Sequence, residues 1–244
     1  MSQLRPKRGS HGLLDFARVR RDKRHPMGVL VKICGINGVA AADAALSAGA
    51  DYAGLVFYRK SPRNLGIEQA TALAARMRGR TRLVALFADA ADAEIESAVN
   101  AARPDFLQLH GSETPERVGA IRARFGLPVI KAVAVAEASD LAAAARYDVD
   151  MFLFDAKAPQ DAMTPGGLGA AFDWQLLRGR SFSRPWLLAG GLNAGNVARA
   201  IRASGAQGVD VSSGVESAPG VKDAGLIADF VTAARDAAFC KAGA

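Results

Sequence analysis

Short apolar runs rich in β-branched residues alternate eight times with Ala-rich, helix-compatible runs along this chain. The strand candidates are Val29–Cys34, Tyr52–Phe57, Arg82–Phe87, Phe106–Leu109, Pro128–Val133, Met151–Asp155, Pro185–Ala189 and Gly208–Val211. Helix candidates lie near 38–48, 67–78, 91–102, 114–125, 137–146, 172–178, 193–203 and 223–238. Strands that read as continuous apolar runs are buried on both faces, and parallel strands need helical crossovers between them. Eight strand–helix units therefore predict a single closed (β/α)8 TIM barrel over residues 29–240. A doubly wound open sheet is the structural alternative, but no G-x-G-x-x-G opens the first helix. Thr114 followed by Pro115 reads as a helix cap with a first-turn proline.

Half of the 244 residues are hydrophobic, enough for one sizeable core. No apolar run approaches the ~20 residues of a membrane span. The two cysteines, Cys34 and Cys240, are far apart, which argues against a disulfide framework and for a reducing cytoplasm. With three His there is no zinc-ligand spacing, and no metal is expected. The net charge of +7 is concentrated at one end: residues 1–28 hold eight Lys and Arg against Asp15 and Asp22. That segment reads as a disordered basic extension, with contact to nucleic acid or anionic lipid as the alternative. It lacks the apolar core of a secretory signal. Met27, just before the first strand, is also compatible with a later start.

In a barrel of this kind, chemistry gathers in the loops at the carboxyl ends of the strands. The residues there are Cys34, Arg63, His110, Asp155, Gly190-Gly191, and Asp210 with Ser212-Ser213-Gly214. Gly190-Gly191 after the seventh strand, directly before a helix, and Ser212-Ser213-Gly214 after the eighth form a pattern suited to phosphate. Small residues let backbone N–H groups approach an anion, and these two loops commonly hold one in barrels; ordinary tight turns are the other reading. Cys34 is either a small buried hydrophobe or, with positive charge nearby, a thiolate nucleophile or base. Asp155 closes an apolar strand and must face the mouth or find a partner. A thiol and a carboxylate flanking one small substrate suit isomerisation, one taking a proton and the other giving one. Arg63 is a candidate carboxylate clamp or a solvated surface cation. His110 is a wall residue or a structural histidine. Lys32, Lys131 and Lys157 are candidate Schiff-base lysines, and a buried one would favour an aldolase.

Six segments together resemble the phosphoribosylanthranilate isomerase family of tryptophan biosynthesis. They are Val31-Lys32-Ile33-Cys34-Gly35-Ile36, Gly54-Leu55-Val56-Phe57 with Ser61-Pro62-Arg63, Leu107-Gln108-Leu109-His110-Gly111, Phe154-Asp155-Ala156-Lys157, Gly190-Gly191-Leu192, and Asp210-Val211-Ser212-Ser213-Gly214-Val215-Glu216. The resemblance runs from about residue 29 to about 235. It implies a cofactor-free Amadori rearrangement of N-(5-phosphoribosyl)anthranilate to 1-(2-carboxyphenylamino)-1-deoxyribulose 5-phosphate, the third step from chorismate to tryptophan. On this resemblance Asp155 is the general acid and Cys34 the general base. Arg63 holds the anthranilate carboxylate, and His110 and Asp210 line the substrate. Gly190, Gly191, Ser212, Ser213 and Gly214 take the phosphate. The loop from Pro165 to Trp174 is expected to close over the substrate on Gly166-Gly167. Within it Leu168 stands where the family usually has Thr or Asn, and Ala170 where many members have Lys.

The expected partner is a small phosphosugar, with no nucleic acid and no membrane, in a cytoplasmic monomer or homodimer. Three rivals remain: a related Amadori isomerase of histidine biosynthesis, an aldolase, and a non-enzymatic scaffold with a nucleic-acid-binding tail. The first resembles a two-carboxylate mechanism, against which Cys34 speaks.

Overall fold

Alternation along each strand decides what lies inside the barrel. The computed structural model describes residues 28–157 and 171–239. The expectations for the basic extension through Met27, for the loop bearing Gly166, Gly167, Leu168 and Ala170, and for Cys240 lie outside the described residues. Eight parallel strands close on themselves in sequence order: β1 Leu30–Cys34, β2 Tyr52–Val56, β3 Arg82–Phe87, β4 Phe106–Leu109, β5 Val129–Val135, β6 Met151–Ala156, β7 Trp186–Leu188 and β8 Gly208–Val211. Closure runs through β1 and β8, with Leu30, Val31, Lys32 and Ile33 opposite Gly208, Val209, Asp210 and Val211. This is the predicted barrel, not an open sheet.

Two apolar layers follow from the period of two. Leu30, Tyr52, Val84, Phe106, Ile130, Met151, Leu153 and Leu187 point inward and pack together, with the Tyr52 and Phe106 rings edge to face at 5.7 Å. Val31, Ile33, Leu55, Phe87, Val133, Phe152 and Phe154 point outward into the larger layer beneath the helices. Each large side chain so buried contributes roughly 1.5–3 kcal/mol. Near the carboxyl end the inward positions change character, and Cys34, Val56 and Leu86 form a small separate group.

The helices are α1 Val39–Ser47, α2 Ile67–Met77, α3 Asp92–Ala102, α4 Pro115–Phe125, α5 Ala138–Ala142, α6 Val197–Ser204 and α7 Ala224–Phe239. Thr114 caps α4 by accepting from Arg117 N at 3.3 Å, and Gly126, at φ +64°, ends it. Three expectations need correction. The helix near 137–146 loosens after Ala142 into a 3-10 turn, Ala143–Arg146. The helix near 193–203 begins only at Val197, because Asn193 and Asn196 use their side chains to cap backbone groups of the preceding turn. The one near 172–178 is a single 3-10 turn, Trp174–Leu177, followed by Gly179 at φ +69°. Beside this turn Phe154, Phe182 and Trp186 pack with ring centroids 4.6–5.8 Å apart.

Beneath the loop from β4 to α4 lies a buried ion pair. Lys131 Nζ donates to Glu113 Oε2 at 2.9 Å and to the carbonyls of Gly111 (2.8 Å) and Leu109 (3.2 Å). Glu113 Oε1 accepts from the backbone of Asp89 and Gly111. Every charge is matched, so losing one partner should hurt more than losing both. Glu113→Ala should destabilise the fold by about 3–5 kcal/mol. Urea unfolding should find the double variant Glu113→Gln/Lys131→Met closer to the parent than Glu113→Ala is.

Candidate active site

β1 ends at Cys34 because the chain turns away at Gly35, whose φ is +81°. The N–H groups of Gly35 and Ile36 both reach the carbonyl of Gly54, each at 2.9 Å. A Cβ on Gly35 would sit 2.5 Å from Arg63 Cδ, so the glycine also makes room for the arginine stem. Gly54 does the same for the thiol: a Cβ there would lie 2.9 Å from Cys34 Sγ and 3.3 Å from Lys32 Nζ. Lys32, wholly buried, donates to Asp210 Oδ1 across the β1–β8 seam at 2.8 Å. Burial pulls the Lys32 ammonium down, but the Asp210 carboxylate and the Cys34 thiolate outweigh it and hold the group above its ordinary value. Burial pushes the Cys34 thiol up, against the pull of the Lys32 and Lys222 ammonium groups.

Asp155 sits on β6, which is separated from β1 on one side by β7 and β8. Its Oδ1 accepts from Ala156 N at 2.8 Å, and its Oδ2 meets His110 Nε2 at 3.1 Å. Gln108, two residues earlier on β4 and also inward, contacts His110 Nδ1 through Nε2 at 2.9 Å. With that amide donating, the ring proton lies on Nε2 and is donated to Asp155.

Small residues knit β7 and β8 together at the mouth. Gly190 has φ +86°, and a Cβ on it would lie 2.7 Å from Ala156 N and 3.2 Å from Asp155 Oδ1. Gly214, in the 3-10 turn Ser213–Val215, presses so closely on the preceding loop that a Cβ would fall 1.9 Å from the Leu192 carbonyl oxygen. Ser212 Oγ donates to the Cys34 carbonyl at 3.1 Å. The chain thus runs by direct contact from Asp155, through both glycine loops, to Cys34. The helix expected immediately after Gly190-Gly191 is displaced to Val197, so α6 does not start at this cradle.

Arg63 and its surroundings bring the largest surprise. Its Nε and Nη2 form a bidentate pair with Glu216, at 2.7 and 2.8 Å. Glu216 Oε1 also accepts from Lys222 Nζ at 2.6 Å, and the same ammonium reaches Ser212 O and Oγ. Burial raises the Glu216 carboxyl, but Arg63 and Lys222 prevail and hold it below the usual carboxylate range. Burial and the Arg63 charge leave the Lys222 ammonium below its ordinary value in spite of Glu216. Glu216 and Lys222 lie on a small hairpin, β9 Glu216–Ala218 and β10 Val221–Lys222. Sequence reading quoted Glu216 without giving it a role and missed Lys222. Its one signal was a lysine just after the Pro219-Gly220 turn that follows the eighth-strand motif.

All of the predicted site residues lie at the carboxyl end of the barrel. Of the three Schiff-base candidates only Lys32 faces the site residues, and all three are paired with carboxylates. Lys131 alternates outward between Ile130 and Ala132 and is held by Glu113. Lys157 is more than half exposed and pairs with Asp140. Lys32 faces the interior as the partner of Asp210. Among the described residues, no three His, Cys, Asp or Glu side chains group as metal ligands would. None of the described helices is long and apolar enough to cross a membrane.

The family model for N-(5'-phosphoribosyl)anthranilate isomerase matches residues 31–233. The chain is 54 % identical over 211 residues to an N-(5'-phosphoribosyl)anthranilate isomerase of Rhodopseudomonas palustris strain BisB5, covering 86 % of this chain and 97 % of that one. Its fold matches the crystal structure of phosphoribosylanthranilate isomerase from Thermotoga maritima with a TM-score of 0.75 and 37 % identity, covering 84 % and 98 % of the two chains. That relative is a dimer of which monomeric forms have also been solved. A phosphoribosylanthranilate isomerase in complex with reduced 1-(o-carboxyphenylamino)-1-deoxyribulose 5-phosphate matches with a TM-score of 0.73 and 35 % identity, covering 84 % and 98 %. A match spanning almost the whole barrel, at these identities, means that this chain belongs to the phosphoribosylanthranilate isomerase family.

Proposed function

We propose that Asp155 and Cys34 carry out the family's Amadori rearrangement as general acid and general base. The chain converts N-(5'-phosphoribosyl)anthranilate to 1-(2-carboxyphenylamino)-1-deoxyribulose 5-phosphate in tryptophan biosynthesis. One observation carries the residue assignment: the acid and the base end two strands of one mouth, and the contacts between them run through the two small-residue loops. A phosphosugar held by those loops at its phosphate end presents its ring between Asp155 and Cys34.

The steps follow from that placement. Asp155 delivers a proton to the furanose ring oxygen, the bond from that oxygen to C1 breaks, and the anthranilate nitrogen forms a Schiff base with C1. The His110 N–H on Oδ2 then stabilises the carboxylate that remains. The Cys34 thiolate removes the proton from C2; the released pair forms the C1=C2 bond while the C1=N pair returns to the anthranilate nitrogen, giving an enolamine. Tautomerisation places a ketone at C2. Gly190, Gly191, Ser212, Ser213 and Gly214 bring backbone N–H groups to the phosphate, where the loops press together at Gly214. Asp210 keeps one oxygen for a sugar hydroxyl, the other being held by Lys32.

Arg63 needs a changed role. Its Nε side is occupied by Glu216, so the anthranilate carboxylate meets the guanidinium end, on Nη1 and the second Nη2 hydrogen. The finer expectations of a cytoplasmic enzyme, monomeric or dimeric, with no nucleic-acid partner, belong to the same reading.

Cys34→Ala and Asp155→Ala should each lower kcat by about 10²–10⁴-fold while circular dichroism and thermal unfolding stay near the parent's. Following the loss of substrate fluorescence, with the substrate made in situ, measures this; near-parental turnover in either variant would sink the assignment. Arg63→Lys can keep one bond to Glu216 but loses the end-on fork. KM should therefore rise about tenfold with kcat within a few-fold of the parent's, and an unmoved KM removes Arg63 from carboxylate binding. Gly214→Ala must part the loops after β7 and β8. It should weaken competitive inhibition by inorganic phosphate along with substrate binding, and intact phosphate inhibition would remove the cradle.

A further inference from the structure

A buried thiol is a poor base unless a fixed cation favours its ionised form. Three cations stand near Cys34, and two are committed elsewhere. Arg63 lays its stem on Gly35 but turns its fork to Glu216. Lys222 donates to Ser212 O, Ser212 Oγ and Glu216 Oε1. Lys32 differs: it lies two residues before Cys34 on the same strand, so both side chains point into the barrel on one face. Its ammonium has Asp210 Oδ1 on one side and the thiol on the other: a Cβ on Gly54 would lie 3.3 Å from Lys32 Nζ and 2.9 Å from Cys34 Sγ, which places the two groups side by side. Gly54, opposite on β2, removes the side chain that would otherwise stand between them and this wall.

We propose that Lys32 is a positioning residue for the base: anchored by Asp210, its ammonium forms an ion pair with the Cys34 thiolate. The proposal rests on the reading of Cys34 as general base. Strand register builds the unit Asp210–Lys32–Cys34, since Lys32 and Asp210 are direct partners across the barrel's closing seam. No loop needs to move to form it. It also gives the wholly buried lysine a role other than Schiff-base chemistry. The ammonium stays charged beside the Asp210 carboxylate and is unsuited to attack a carbonyl.

The charged groups facing the thiol from each packed element set the signs. From β1 comes Lys32 and from the hairpin Lys222, both favouring the thiolate; from β8 comes Asp210, opposing it; β2 contributes the uncharged Gly54 and Val56 and β3 Leu86. Arg63 and Glu216 neutralise one another beside this group. Removing Lys32 must therefore raise the pH at which Cys34 ionises, and removing Asp210 alone must lower it. A purely structural ion pair predicts no such opposed pair of shifts.

The test uses the full chain carrying Cys240→Ser, so that Cys34 is the single thiol. Iodoacetamide alkylation rates at Cys34 are measured against pH, alongside the pH profile of kcat/KM, in Lys32→Met, Lys32→Met/Asp210→Asn and Asp210→Asn. The double variant removes both charges together and covers the case in which Lys32→Met alone, leaving Asp210 unpaired, fails to fold. The alkylation midpoint should rise by about 1–3 pH units in Lys32→Met, rise less in the double variant, where the loss of Asp210 offsets part of the shift, and fall in Asp210→Asn. The acidic limb of kcat/KM should move with it in each variant. An alkylation midpoint that stays put in folded variants overturns the ion pair. A midpoint that moves while the rate profile does not overturns Cys34 as the base, and with it the catalytic role of Lys32.

Discussion

The register in which β8 closes on β1 is the constraint on which the site depends. It sets Asp210 beside Lys32, and Gly208 beside Leu30. Gly208 can close there because it has no side chain: a Cβ would lie 2.4 Å from Leu187 Cδ2. A slip of one residue would reverse every side chain of the seam, sending Lys32 and Cys34 into the helix layer and Ile33 into the barrel. The same parity that buries Leu30 at the bottom presents the thiol at the top.

Three buried charge groups organise the upper half of the barrel. Lys32 and Asp210 join the first and last strands. Lys131 and Glu113 hold the loop that carries His110. Glu216 gathers Arg63 and Lys222, tying the loop after β2 to the hairpin after β8. Such pairs contribute little net stability over well-packed apolar residues, since desolvation offsets most of their attraction. Their value is geometric. Each pairs groups that have few other partners within reach, so each pins one loop in one place.

Backbone proximity does the rest. Gly35, Gly54, Gly190 and Gly214 each stand where another group must come within van der Waals reach of the main chain: an arginine stem, a thiol, a carboxylate and a carbonyl. The mouth is crowded because side chains have been removed from its rim. That crowding links a carboxylate and a thiol on non-adjacent strands through the loops after β7 and β8.

Much of this was legible in the chain itself. Short continuous apolar runs alternating with helix-compatible runs identified the strands, and counting eight units implied closure. The residues ending those strands were then candidates for chemistry. Periodicity is a local property, and local neighbours suffice to show it. The short 3-10 turn at Trp174–Leu177 and the late start of α6 depart from that reading, because tertiary packing of Phe154, Phe182 and Trp186 and the side-chain caps of Asn193 and Asn196 override helix propensity there. The outward turn of Lys131, the capture of the Arg63 fork by Glu216 and the arrival of Lys222 beside Ser212 could not be read from spacing. Arg63 and Glu216 stand 153 residues apart, and Lys32 and Asp210 178. Only closure of the barrel brings such groups into contact, so sequence determined which residues reach the mouth, and tertiary structure decided which of them hold one another there.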